Sequence, residues 1–162
     1  MSPRIEPGVV EVQETRRGQF QVEVRTGEAC FLADEPEAVG GLGSGPTPYE
    51  LLASALGACT AMTVRMYAGR KGWPLEDVTV RLLHRRPGPQ ARDHFAREIV
   101  LKGALTDDQR SRLLEIANRC PVHQTLERGA EIVTVLAETP HIHGPRPADD
   151  DHVRDMADVC TV

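Results

Sequence analysis

Four cysteines, Cys30, Cys59, Cys120 and Cys160, are the side chains in this sequence best suited to covalent chemistry. A thiolate attacks peroxides and disulfides. Burial among apolar groups raises a thiol's pKa and leaves it inert, so Cys59 needs a cationic partner to react. Cys59 recurs at helical spacing with Leu52, Ala55, Leu56, Met62 and Met66, and Cys120 with Leu113, Ile116 and Ala117. Taken alone, each reads first as a small core hydrophobe. Taken together, on the apolar sides of two helices packed against each other, they would share one seam, as an attacking and a resolving cysteine do.

Other candidates are weaker. His123, three residues after Cys120, could tune that thiol or simply cap a helix end. His141, His143 and Cys160 lack the short spacings of a zinc site, so no metal is expected. The glycine-dense run from Gly40 to Gly45 lacks a Gly-Lys-Ser/Thr ending and the dinucleotide spacing, so it reads as a flexible lead-in to the following helix and no bound cofactor is expected.

The elements that would position the cysteines follow from periodicity. Val9 to Thr15 and Gln19 to Thr26, around Arg16-Arg17-Gly18, predict an opening β-hairpin, and Cys30-Phe31-Leu32 a third strand. A long central helix starts at Pro48 and ends in a basic, glycine-containing segment, with Ala53, Ser54, Ala55, Gly57 and Ala58 small enough to admit another backbone. Val78, Val80 and Leu82, then Ile99 and Leu101, predict a second hairpin about Arg86-Pro87-Gly88-Pro89. Thr106 to Gln109 is a capping-box start for a helix carrying Cys120 at its end, with Pro121 as the stop. Glu131 to Leu136 predicts a last strand. The order βββ-α-ββ-α-β, without regular βαβ alternation, places the chain in the α+β class.

At 162 residues the chain fits a single domain, expected over 1–140, followed by an acidic tail over 141–162 too poor in apolar residues to fold alone and expected to be disordered. Within that tail, residues 147–162 hold five aspartates against Arg154 and so carry −4 of the net charge of −5. The near-neutral remainder, with three Phe, two Tyr and one Trp, offers neither the basic stripe nor the stacking surface of a nucleic-acid binder. The opening MSPRIEPGVVEV has no secretory pattern, and no apolar run is expected to span a bilayer. The expectation is a cytoplasmic protein in which any disulfide is transient and chemical.

GPTPYELLASALGACTAMTVRMYA at 45–68 and LLEIANRCPVH at 113–123 resemble the two cysteine-helix motifs of the OsmC/Ohr family, and ADEP at 33–36 is similar to one of its less characterised branches. The likeness runs from about Phe20 to Leu136. It implies an OsmC-like fold, an intertwined homodimer, and a peroxidase for small organic hydroperoxides whose reductant is an external dithiol of the lipoyl type. By position, Cys59 matches the peroxidatic and Cys120 the resolving cysteine. The family's activating arginine would be Arg17, with Arg16 and Arg25 as alternatives. The family carboxylate stands ten residues before the peroxidatic cysteine, where this chain has Tyr49, with Glu50 beside it. An offset of nine residues turns Glu50 about half a circle from Cys59, so Glu50 is readable either as catalytic or as charge compensation at a helix start.

Two rival readings stand beside the peroxidase. The same pocket could bind an apolar ligand, or the thiol pair could oxidise once as a signal without efficient turnover. Alternatively, both cysteines could be core residues of a dimeric scaffold.

Overall fold

The computed structural model describes residues 5–27, 29–138 and 151–161, which form two compact units. One comprises the chain up to Leu51 with the segment from Ile132 to Asp151, and the other Leu52–Glu131 with the chain from His152 onward.

In the first unit, β1 (Val10–Glu14), β2 (Val22–Thr26) and β3 (Ala29–Ala33) form an antiparallel sheet in sequence order. Val12 stands opposite Val24, and Val24 opposite Phe31. The β1–β2 bend puts Arg16 at φ 60. The Thr15 hydroxyl donates to Gln21 Oε1 at 2.6 Å, and Gln21 Nε2 donates to Ser44 Oγ at 2.7 Å. Buried Asp34 organises the glycine-dense loop by accepting from Glu35 N at 2.8 Å, Leu42 N at 3.1 Å, Ser44 N at 3.3 Å and Ser44 Oγ at 2.7 Å. Burial works against this carboxylate, but those donors together hold its pKa below the usual carboxylate range. The lead-in expected to be flexible is therefore pinned. Gly45 is required there, because a Cβ at that position would lie 2.0 Å from the Leu32 carbonyl.

The strand expected over Glu131 to Leu136 does not form. Its side chains stand in the open, with Ile132 85% and Leu136 103% exposed. β-branched residues favour extended backbone, but a strand also needs a neighbouring edge, and among the described residues none pairs with this segment.

Helix α1 (Pro48–Lys71) begins in a capping box: Glu50 N donates to Thr47 Oγ1 at 3.3 Å, and Thr47 N donates to Glu50 Oε2 at 2.8 Å. It ends at Gly72, φ 64, where Gly72 N bonds Gly69 O and Trp73 N bonds Ala68 O, a Schellman closure. Contrary to expectation, α1 is by length and mean hydropathy (1.2) apolar enough to cross a bilayer, although 39% of that window is buried inside this fold. Its buried face is Leu56, Cys59, Thr60, Thr63, Val64, Tyr67 and Ala68. The expected stripe is thus rotated: Leu52 and Met62 are exposed, and two threonines enter the core. Burying them is tolerable because Thr60 and Thr63 donate to Leu56 O and Cys59 O, each at 2.7 Å.

Strands β4 (Asp77–Arg85) and β5 (His94–Lys102) pair antiparallel, Val80 opposite Ile99, with strict alternation of exposed and half-buried residues. Gly57 lets β4 approach α1, since a Cβ there would meet Leu82 Cδ1 at 2.8 Å. The Thr106–Gln109 capping box starts α2 (Asp107–Ala117) as expected. Cys120, however, does not end that helix. Pro121 disfavours helical backbone at the residue before it and suits a first helical turn, so Cys120 is extended (φ −60, ψ 144) and leads into a new helix, α3 (Pro121–Arg128).

The acidic tail is a second correction. Residues 141–150, with His141 and His143, lie outside the described residues, but Asp151–Val159 form helix α4. Met156 (4% exposed) and Cys160 (6%) are buried, and Cys160 joins a cluster with Val64, Tyr67, Leu113 and Ile116. Its apolar residues are few but spaced on one face, so packing supplies what composition alone lacks.

Candidate active site

Leu56, Cys59 and Cys120 form a buried apolar cluster of their own, walled by Leu82, Phe95, Val122 and Leu126. Both thiols are free and lie in this one cluster. The Cys59 sulfur also accepts from Val122 N at 3.4 Å, and His152 Nε2 lies 3.3 Å from it. On the other side, Thr60 Oγ1 is 3.7 Å from the Cys120 sulfur and accepts from Arg97 Nη1 at 2.7 Å. The second Arg97 nitrogen donates to Asn118 Oδ1 at 2.8 Å and lies 3.5 Å from His123 Nδ1.

This geometry separates the two titrations of the pair. The hydrogen bond from Cys59 lowers the Cys120 pKa to about 5 against the opposing effect of burial, helped by the His123 N–H, the Thr60 hydroxyl and the Arg97 charge. The same bond, with burial, pushes Cys59 strongly upward. Cys59 is the thiol touched by a solvent-exposed side chain, His152, whereas Cys120 is fully enclosed.

The structure therefore brings Cys59 and Cys120 together. It sets His123 beside Arg97 and also within 3.6 Å of Glu127. The three candidate arginines belong to the first unit: Arg16 pairs with Glu14, Arg25 with Glu23, and Arg17 N donates to Thr15 Oγ1. Glu50 is in the α1 capping box, nine residues or about 13 Å along the helix from Cys59. Tyr49 occupies the same exposed first turn. Cys30 is exposed on β3 opposite Arg25, and Cys160 is a core residue whose pKa burial raises.

Sequence reasoning missed Thr60, Arg97 and His152. Two had signals. Arg97 falls on the inward face of β5 with Phe95, Ile99 and Leu101, where a charge is out of place. His152, Met156 and Cys160 recur every four residues on one helix face. Thr60 had none.

Fold and site together define an α+β dithiol protein, its two cysteines carried on a long core helix and at the junction of two shorter ones. The chain belongs to the OsmC-like protein family, which matches residues 41–135. Among solved structures it resembles a Psychrobacter arcticus protein assigned to osmotic stress induction and detoxification response (17% identity, TM-score 0.65, 77% of this chain and 91% of that one). It is also similar to an OsmC-like protein from Mycoplasma pneumoniae (16%, 0.63, 75% and 88%). A third relative is an organic hydroperoxide resistance protein OsmC from Legionella pneumophila (22%, 0.58, 76% and 91%). No curated protein matches the chain significantly.

Proposed function

We propose that this protein is a cytosolic thiol peroxidase that reduces small organic hydroperoxides, with Cys59 attacking and Cys120 resolving. The two free thiols brought together in one buried apolar cluster, with polar partners at each sulfur, carry this reading. The Cys59 thiolate attacks the terminal peroxide oxygen, the O–O bond breaks, and the leaving alkoxide is protonated to an alcohol. Cys120 then attacks the Cys59 sulfenic acid, forming the disulfide and releasing water. A dithiol of the lipoyl type restores both thiols by exchange. The apolar walls Leu56, Leu82, Phe95 and Leu126 favour alkyl hydroperoxides over hydrogen peroxide.

We assign the working form to a homodimer. A stripe on α1 formed by Leu52, Ala55, Ala58 and Met62 is exposed, as are the apolar residues of 132–136, and such surfaces call for a second copy.

Intact-mass spectrometry with cumene hydroperoxide tests the chemistry. Wild-type protein is expected to lose two hydrogens as a Cys59–Cys120 disulfide and to recover with dihydrolipoamide. Cys120→Ser should accumulate oxygen at Cys59 and over-oxidise, and Cys59→Ser should stay inert. Wild-type protein that stays reduced, or a disulfide through Cys30 or Cys160, would sink the assignment. The near-complete enclosure of both sulfurs favours one other reading, a sensor that oxidises once. Steady-state consumption with the dithiol separates the two, because a sensor shows one equivalent and stops.

A further inference from the structure

Helix α4 lies beyond the residues matched by the family, yet it is built into the second unit. Met156 and Cys160 are buried, the Cys160 thiol reaches Thr63 O at 3.8 Å, and Arg70 Nη1 donates to Ala157 O at 2.9 Å. These contacts fix the helix on α1 and leave His152, an exposed residue at its first turn, with Nε2 at 3.3 Å from the Cys59 sulfur.

Among the described groups at that sulfur are the Val122 N–H, the Thr63 hydroxyl, the Cys120 thiol and His152. A backbone amide cannot release its proton. The Thr63 hydroxyl is a very weak acid already bonded to Cys59 O. Cys120 must keep its own proton inventory for the second step. Arg97 sits on the Cys120 side, bonded to Thr60 and Asn118, and a guanidinium does not give up a proton. An imidazole can both take a proton and return it near neutral pH.

We propose that His152 is a catalytic residue of the Cys59 reaction, storing a thiol proton on Nε2 and delivering it to the alkoxide that leaves the hydroperoxide. This rests on the peroxidase reading. The first proton released by the Cys59–Cys120 pair moves to Nε2, and the second passes from Cys59 to Cys120 as Cys59 attacks. The S–O bond forms, the O–O bond breaks, and sulfur loses two electrons to the peroxide. The alkoxide takes the Nε2 proton and leaves as an alcohol, returning His152 to neutral. Cys120 then displaces hydroxide from the sulfenic acid, its proton completing the water. Two thiols and one hydroperoxide thus become a disulfide, an alcohol and water, with no outside acid.

The test compares leaving groups. Wild-type protein, His152→Gln and His152→Ala are mixed with cumene hydroperoxide, whose leaving alkoxide needs a proton, and with peracetic acid, whose carboxylate does not, and the rate of Cys59 oxidation is followed. Both variants should lose on the order of 10²-fold with cumene hydroperoxide, the usual size of a general-acid contribution. They should lose far less with peracetic acid, and added imidazole should restore part of the His152→Ala rate. Equal losses with both oxidants, or no loss with either, would overturn the role of His152 while leaving the peroxidase intact. Wild-type protein inert to cumene hydroperoxide would instead remove the peroxidase reading, and the role of His152 with it.

Discussion

The ionisation of two buried neighbouring thiols follows the charges and donors set around them. Arg97 reaches Cys120 through Thr60, and its positive charge favours the thiolate. Arg97→Met should therefore raise the midpoint of the first thiol ionisation from about 5, by roughly one pH unit for the loss of a nearby cation. The sign fixes the pH window. The variant has less thiolate than wild type between the two midpoints, and the deficit vanishes once pH exceeds both. Ultraviolet thiolate absorbance across acid pH checks this, and an unchanged midpoint would mean that Arg97 only braces Asn118.

At the level of elements, the start of α1 matters because Glu50 has two possible uses. In the capping box its carboxylate accepts from Thr47 N, a task that glutamine also performs. Glu50→Gln should keep both stability and peroxide rate, whereas Glu50→Ala should cost about 0.5–1 kcal/mol, the scale of charge and capping effects at a helix start. Urea unfolding measures the cost. A Glu50→Gln protein that is equally stable but slow with hydroperoxide would show the carboxylate acting in the chemistry. The break at Pro121 matters equally, for it takes Cys120 out of α2 and sets its sulfur to accept the His123 N–H at the start of α3.

For the whole molecule, exposed apolar residues on α1 and on 132–136 are the main feature a single chain leaves unresolved. Light scattering at micromolar concentration should give twice the 17.8 kDa of one chain. Met62→Glu places a charge in the exposed α1 stripe and should shift the protein towards monomers, since an unpaired charge in an apolar interface costs several kcal/mol. A wild-type monomer would contradict the dimer.

The sequence by itself determined what is local. Strand-favouring runs marked β1 to β5, Thr-x-x-Gln spacing marked the capping box of α2, and the apolar spacing around Cys59 and Cys120 put both cysteines in the interior. Each signal spans a few residues, so one sequence is enough to carry it. The tertiary structure decided the rest because it depends on pairs far apart in the chain. Thr60 meets Arg97 across 37 residues and Cys59 meets His152 across 93, separations at which periodicity says nothing about distance. Residues 131–136 have the pattern of a strand and lack a partner edge, and 151–159 have the composition of a tail and fold against a core that packing provides.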